Sequence, residues 1–106
     1  MATIVEAQNT KPPVGKATLT GDVVGIQFEN KGWRFAVKNF SDAPIYVSFE
    51  EDVDETTGLE IPAQMCQVIG ENAYIRPRQY MYKDAAFNTV YIKGTGKVEV
   101  DMLCSR

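Results

Sequence analysis

From residue 17 onward the chain alternates apolar and polar positions with a period of two, the signature of β-strands. In Trp33-Arg34-Phe35-Ala36-Val37-Lys38, residues Trp33, Phe35 and Val37 share one face, which places Trp33 in a core. In Ile45-Tyr46-Val47-Ser48-Phe49, the apolar face is Ile45, Val47 and Phe49. Val90 and Ile92 pair in the same way, with Tyr91 and Lys93 turned outward. Near the C-terminus Val98, Val100 and Met102 point in, while Lys97, Glu99 and Asp101 point out. One dry and one wet face per strand is the pattern of antiparallel sheets packed on a core. Further strands are expected over 17–20, 23–28, 59–61, 64–69, 74–76 and 80–82.

Turn residues separate these runs. Asn30-Lys31-Gly32 is expected to join two strands, and Ser41-Asp42-Ala43-Pro44 to set up the next, with Pro44 suited to a strand's first residue. Gly94-Thr95-Gly96 predicts a three-residue hairpin between the last two strands, because glycine takes positive φ without strain. Only Lys83-Asp84-Ala85-Ala86-Phe87 has the makings of a helical turn. The expected fold is therefore all-β, a single antiparallel β-sandwich of jelly-roll or immunoglobulin-like type. It occupies residues 17–106, after an extended N-terminal arm over 1–16 in which Pro12 and Pro13 exclude regular helix. Such an arm either frays or orders against a neighbouring subunit.

The chain has 106 residues, enough for one domain with a modest core. Its net charge of -3 argues against a nucleic-acid binder working by phosphate attraction. Histidine is absent, which removes Ser-His-Asp and Cys-His catalysis and the commonest zinc ligand. No apolar run approaches the ~20 residues that cross a bilayer, and the N-terminus lacks a signal-peptide pattern, so no membrane partner is expected. Cys66 and Cys104 read as two buried, reduced thiols on strands; one disulfide between them is the alternative.

Two segments are candidates for recognition. The first is acidic: Glu50, Glu51, Asp52, Asp54 and Glu55, with Glu60 beyond the next turn. Asp52, Asp54 and Glu55 are a weak calcium candidate, since carboxylates are hard oxygen ligands. The EF-hand pattern fails here, because Thr57 and Ala63 stand where it wants glycine and glutamate. A solvated loop and a partner surface at Glu50 and Glu51 are the other two readings. The second segment, Arg76-Pro77-Arg78-Gln79-Tyr80-Met81-Tyr82-Lys83, combines cations and aromatics. Arg76, Arg78, Tyr80 and Tyr82 read first as a protein interface, where Arg and Tyr are enriched, then as an ordinary exposed strand, and last as a stacking surface for nucleic acid. Opposite charge on these two segments suggests that copies of the chain join one to the other. Pro12 and Pro13 belong with the partner-contact candidates through the arm. No catalytic constellation, cofactor site or general acid–base pair is legible.

The strand APIYVSF, the acidic connector with its Asp-Val-Asp, the step GLEIPA and the closing FNTVYIKGTGKVEVDML resemble small β-sandwich virion proteins of tailed bacteriophages, of the head-decoration, head-fibre or adaptor type. The matching residues are 44–49, 58–62 and 90–100. The resemblance implies a non-enzymatic structural protein, a capsid decoration or auxiliary protein docking on the major capsid protein. It further implies a virion location after assembly in the host bacterial cytoplasm, and repeated copies, for which a trimer would suit a threefold position. The alternative is a glycan- or ligand-binding sandwich of a fibre or accessory protein, with Trp33, Tyr80 and Tyr82 as exposed platforms.

Overall fold

The computed structural model describes residues 2–70 and 86–105. The expected strands at 74–76 and 80–82, with Arg76, Arg78, Tyr80 and Tyr82, lie outside the described residues, as does most of the expected helical turn. Within the described residues the fold is all-β, with no helix. Eight strands form one continuous sheet: β1 (Thr3–Glu6), β2 (Val14–Thr20), β3 (Val24–Asn39), β4 (Ile45–Ser48), β5 (Leu59–Ile61), β6 (Cys66–Gly70), β7 (Phe87–Lys93) and β8 (Thr95–Ser105). The main path runs β2-β8-β3-β7-β4-β5, and every pairing along it is antiparallel. β6 adds to β3 antiparallel, and β1 adds to β3 in parallel.

β3 organises everything else. Its 16 residues would span about 53 Å if straight, yet the molecule measures only 31 × 30 × 26 Å. The strand is longer than any one dimension of the molecule, and it bends along its length. Its first half, Val24 to Gln27, pairs with β1 on one side and β7 on the other. Its second half, Arg34 to Asn39, pairs with β8 and β6. Register shifts between Gln27 and Gly32, and again around Arg34, mark the bend. Phe28 and Phe35 meet across it with ring centroids 5.3 Å apart.

This bend corrects two expectations. Asn30-Lys31-Gly32 is not a turn between strands but the interior of β3. Gly32 serves close approach there: a Cβ would lie 2.8 Å from Met102 Cγ. Trp33 is half-buried rather than a core residue. The irregularities on either side of Arg34 break the alternation that would have put Trp33 beside Phe35 and Val37.

The last two strands do not form a hairpin either. β7 and β8 lie on opposite sides of β3, joined by the short crossing at Gly94. Gly96 takes φ +90° there, and a Cβ on it would overlap Ser41. Thr95 and Gly96 already pair with Thr20 and Leu19 of β2.

The inward faces are those the alternation predicts. Phe35, Val37, Ile45, Val47, Phe49, Val90, Ile92, Val98, Val100 and Met102 are all buried in one core, with Leu19, Ile26, Ile61 and Ile69. Asn39, 1% exposed, ties β3 to the 41–44 bend and β5. Its Nδ2 donates to the carbonyls of Ala43, Ile61 and Pro62, and its Oδ1 accepts from the Ser41 amide and hydroxyl.

Within residues 1–16, β1 is a strand of this sheet, its residues facing Val24 to Gln27 in register. β2 begins at Val14, earlier than the period-two pattern places it. Gln8 and Val14 exchange amide-to-carbonyl hydrogen bonds of 2.7 and 3.1 Å, closing the segment into a loop around Pro12 and Pro13.

Candidate functional site

Among the described residues no cleft with converging reactive groups stands out, so the candidates are surfaces. Pro12 and Pro13 line a cleft of about 360 Å³ with Ala7, Gln8, Phe28 and Met102. The Pro13 carbonyl accepts from the Met102 amide at 3.0 Å, so this loop is fastened to its own chain.

The acidic stretch is a built turn. Val53 is buried and anchors it, with Gly58 packed so closely that a Cβ would lie 2.7 Å from Val53 Cγ2. Asp54 Oδ1 accepts from the Thr56 amide (2.8 Å) and hydroxyl (2.7 Å) and from the Thr57 amide (2.9 Å) and hydroxyl (3.1 Å). The Thr56 hydrogen bonds are the main cause that holds the Asp54 carboxyl down at about 2. Asp52, Glu51 and Glu55 are exposed, and Glu50 is half-buried. Glu51 Oε2 accepts from the Ala2 amide at 2.7 Å, which joins this loop to the start of β1. Asp52, Asp54 and Glu55 are not brought together: among the described residues no three His, Cys, Asp or Glu side chains converge to hold a metal. Tyr46 faces this region, and lost hydration first, then the Glu60 and Glu55 carboxylates, raises its phenol pKa.

Cys66 is exposed, not buried, and Cys104 is half-buried; both are free thiols. Cys66 stands opposite Lys38 on one side of β3, and Cys104 opposite Arg34 on the other. Strands flanking a common neighbour are about 9–10 Å apart, beyond the roughly 7 Å Cα limit for a bridge.

Two surface features were not picked out by sequence reasoning. The first is an ionic cluster on the outer face of β2, β8 and β3. Lys38 Nζ lies 2.8 Å from Asp101 Oδ2 and 2.9 Å from Glu99 Oε2, and Lys16 Nζ lies 3.9 Å from Glu99 Oε1. The Asp101 and Glu99 hydrogen bonds raise the Lys38 pKa well above its ordinary value. The outward charges on β8 were visible in the sequence, but their partner is 61 residues away from Glu99 on another strand.

The second is apolar. Phe40 and Met65 are 53% and 54% exposed. Their segments are stitched together: the Asn39 amide donates to the Met65 carbonyl at 2.8 Å, and Gln64 Nε2 donates to the Phe40 carbonyl at 2.9 Å. Phe40 also flanks a groove of about 520 Å³ beside β2, lined by Lys16, Ala17, Thr18, Lys97 and Glu99. A large exposed apolar side chain in each adjoining segment is the signal; it was hidden because Phe40 lies outside the alternating runs, while Met65 falls within the strand expected over 64–69, which begins instead at Cys66. Among the described residues no helix is long and apolar enough to cross a membrane. Compared with known proteins, the chain matches no family model, no curated protein and no solved structure.

Proposed function

We propose that this chain is a non-enzymatic structural protein of a phage particle, an auxiliary protein that docks on the major capsid protein. The observation that carries the docking is the Phe40–Met65 pair, two large apolar side chains held in solvent on segments joined by backbone and side-chain hydrogen bonds. Apolar groups presented on a rigid frame are what a protein interface uses at its centre. The virion part of the reading is supported by the resemblance of residues 44–49, 58–62 and 90–100 to small phage sandwiches. On the same reading the bent sheet works as a sandwich, its two halves facing each other through Phe28 and Phe35. Repeated copies on a lattice would add many weak contacts through multivalency.

The test is density-gradient fractionation of the native source, with mass spectrometry for this chain in each fraction. The reading expects it in particles of megadalton size after a modest salt wash, and expects Phe40→Asp with Met65→Asp to release it. Recovery of the native chain only at the top of the gradient would overturn the reading.

A further inference from the structure

β2 lies at the end of the sheet and, among the described strands, pairs with β8 alone. Its hydrogen-bonding phase is fixed by two neighbours. Both polar backbone groups of Val14 go to Gln8, on the side away from β8. The Pro13 carbonyl and the Gly21 amide point the other way, to Met102 and Gly94. Alternation along an antiparallel ladder then turns the amides and carbonyls of Lys16, Thr18 and Thr20 outward. All three residues are exposed. Gln8 closes the edge at Val14, and the bend at Gly21 and Asp22 carries the chain away at the other end. Among the described residues, what remains open is a five-residue segment with Thr18 at its middle.

We propose that this edge pairs with the same edge of a second copy of the chain, antiparallel and centred on Thr18. The open segment is self-complementary. A twofold axis at Thr18 sets Thr18 against Thr18, Lys16 against Thr20 and Ala17 against Leu19. No lysine meets a lysine, and Thr–Thr and apolar pairs are favourable cross-strand neighbours. Each outward residue exchanges both its backbone groups with its partner, so the contact forms a continuous ladder. Natural sheets guard such edges with proline, bulges or several charges. Between Val14 and Thr20 the only such device is Lys16, whose ammonium is drawn aside toward Glu99. Among the other described strands with a single pairing, β5 has three residues, β1 four and β6 five, so β2, with seven, is the longest template. An isologous contact of this kind closes at two copies.

The experiment compares the native chain with Thr18→Pro by sedimentation over a wide concentration range. Proline at 18 removes an outward amide and blocks the ladder, yet leaves the β2–β8 hydrogen bonds in place. The expected result is a two-chain mass for the native protein and a dissociation constant raised roughly tenfold or more in Thr18→Pro. A native chain that stays single at all concentrations, one that closes at three copies, or a variant that associates unchanged would each overturn the proposal. Amide hydrogen exchange on the native chain gives a reading that needs no variant. Lys16, Thr18 and Thr20 should gain protection as concentration rises, and unchanged exchange there would equally overturn it.

Discussion

Lys38 reaches across from β3 to Asp101 on β8 at 2.8 Å, and the other oxygen of that carboxylate, Oδ1, is buried without a hydrogen-bond partner among the described residues. The lysine therefore compensates two carboxylates, Glu99 included, that are themselves less exposed than it is. Lys38→Met should destabilise the fold by about 1 kcal/mol, a figure kept low because the lysine side chain is 35% exposed and screened. The sign with pH follows from its raised pKa. The stabilisation is fully present below the ordinary lysine value of 10.5 and is lost as pH rises above it. Urea midpoints of the two proteins should thus differ at pH 8 and converge in strong alkali. Equal midpoints at neutral pH would show that the cluster contributes nothing.

Asn39 is a denser node. Five hydrogen bonds converge on a side chain that is 1% exposed, and three of them satisfy carbonyls at the start and end of other segments. Asn39→Ala should cost about 2–4 kcal/mol, because it strands several buried polar groups at once. Asn39→Asp should be as harmful at neutral pH, since a carboxylate faces three carbonyl oxygens where an amide donated. A denaturation midpoint for Asn39→Asp matching the native one would contradict the network.

The alternation of residues such as Val98, Val100 and Met102 was legible because a strand's two faces are a local property of the chain. Pairing is not local. Gly94 and Gly96 announce a sharp change of direction, but glycine's freedom does not say whether the joined strands bond each other or flank a third. Gly32 looked like a turn residue for the same reason, whereas Met102 requires its missing side chain. Trp33 was misplaced because a bulge shifts the face of every residue beyond it. The candidate surface was hidden more completely. Phe40 and Met65 are ordinary apolar residues in the sequence until Asn39 and Gln64 bring their segments together.

Two glycines separate backbone strain from crowding. Gly21 has φ +104° with nothing within 4 Å of where a Cβ would sit, while Gly96 has φ +90° and would drive its Cβ into Ser41. Gly21→Ala should therefore cost about 1–2 kcal/mol from conformation alone. Gly96→Ala should cost more, about 2–4 kcal/mol, because Ser41 is 7% exposed and hydrogen-bonded to Asn39. Thermal unfolding of the two variants side by side checks the order, and equal losses would refute the crowding at Gly96.

The cysteines give a chemical test of the β3 neighbourhood. Iodoacetamide should modify Cys66 before Cys104, since only Cys66 is exposed. Mild oxidation should yield no intramolecular bridge. A peptide carrying Cys66 joined to Cys104 from a monomeric species would contradict the placement of β6 and β8 on opposite sides of β3.

Asp54 makes the acidic stretch acid-sensitive in a defined window. Its carboxyl is held at about 2 in the folded chain against an ordinary 3.8, chiefly by the Thr56 hydroxyl and amide. A depressed carboxylate pKa stabilises the fold above the unfolded value and loses that contribution as pH falls through the folded one. Asp54→Ala should accordingly lower the melting temperature at pH 7. The gap to the native protein should shrink as pH drops from about 3.8 toward 2. Asp54→Asn keeps an acceptor at Oδ1 and should recover part of the loss at neutral pH without the acid dependence. If Asp54→Ala instead melted with the native protein across the whole range, the four hydrogen bonds on Oδ1 would not be what shapes this loop.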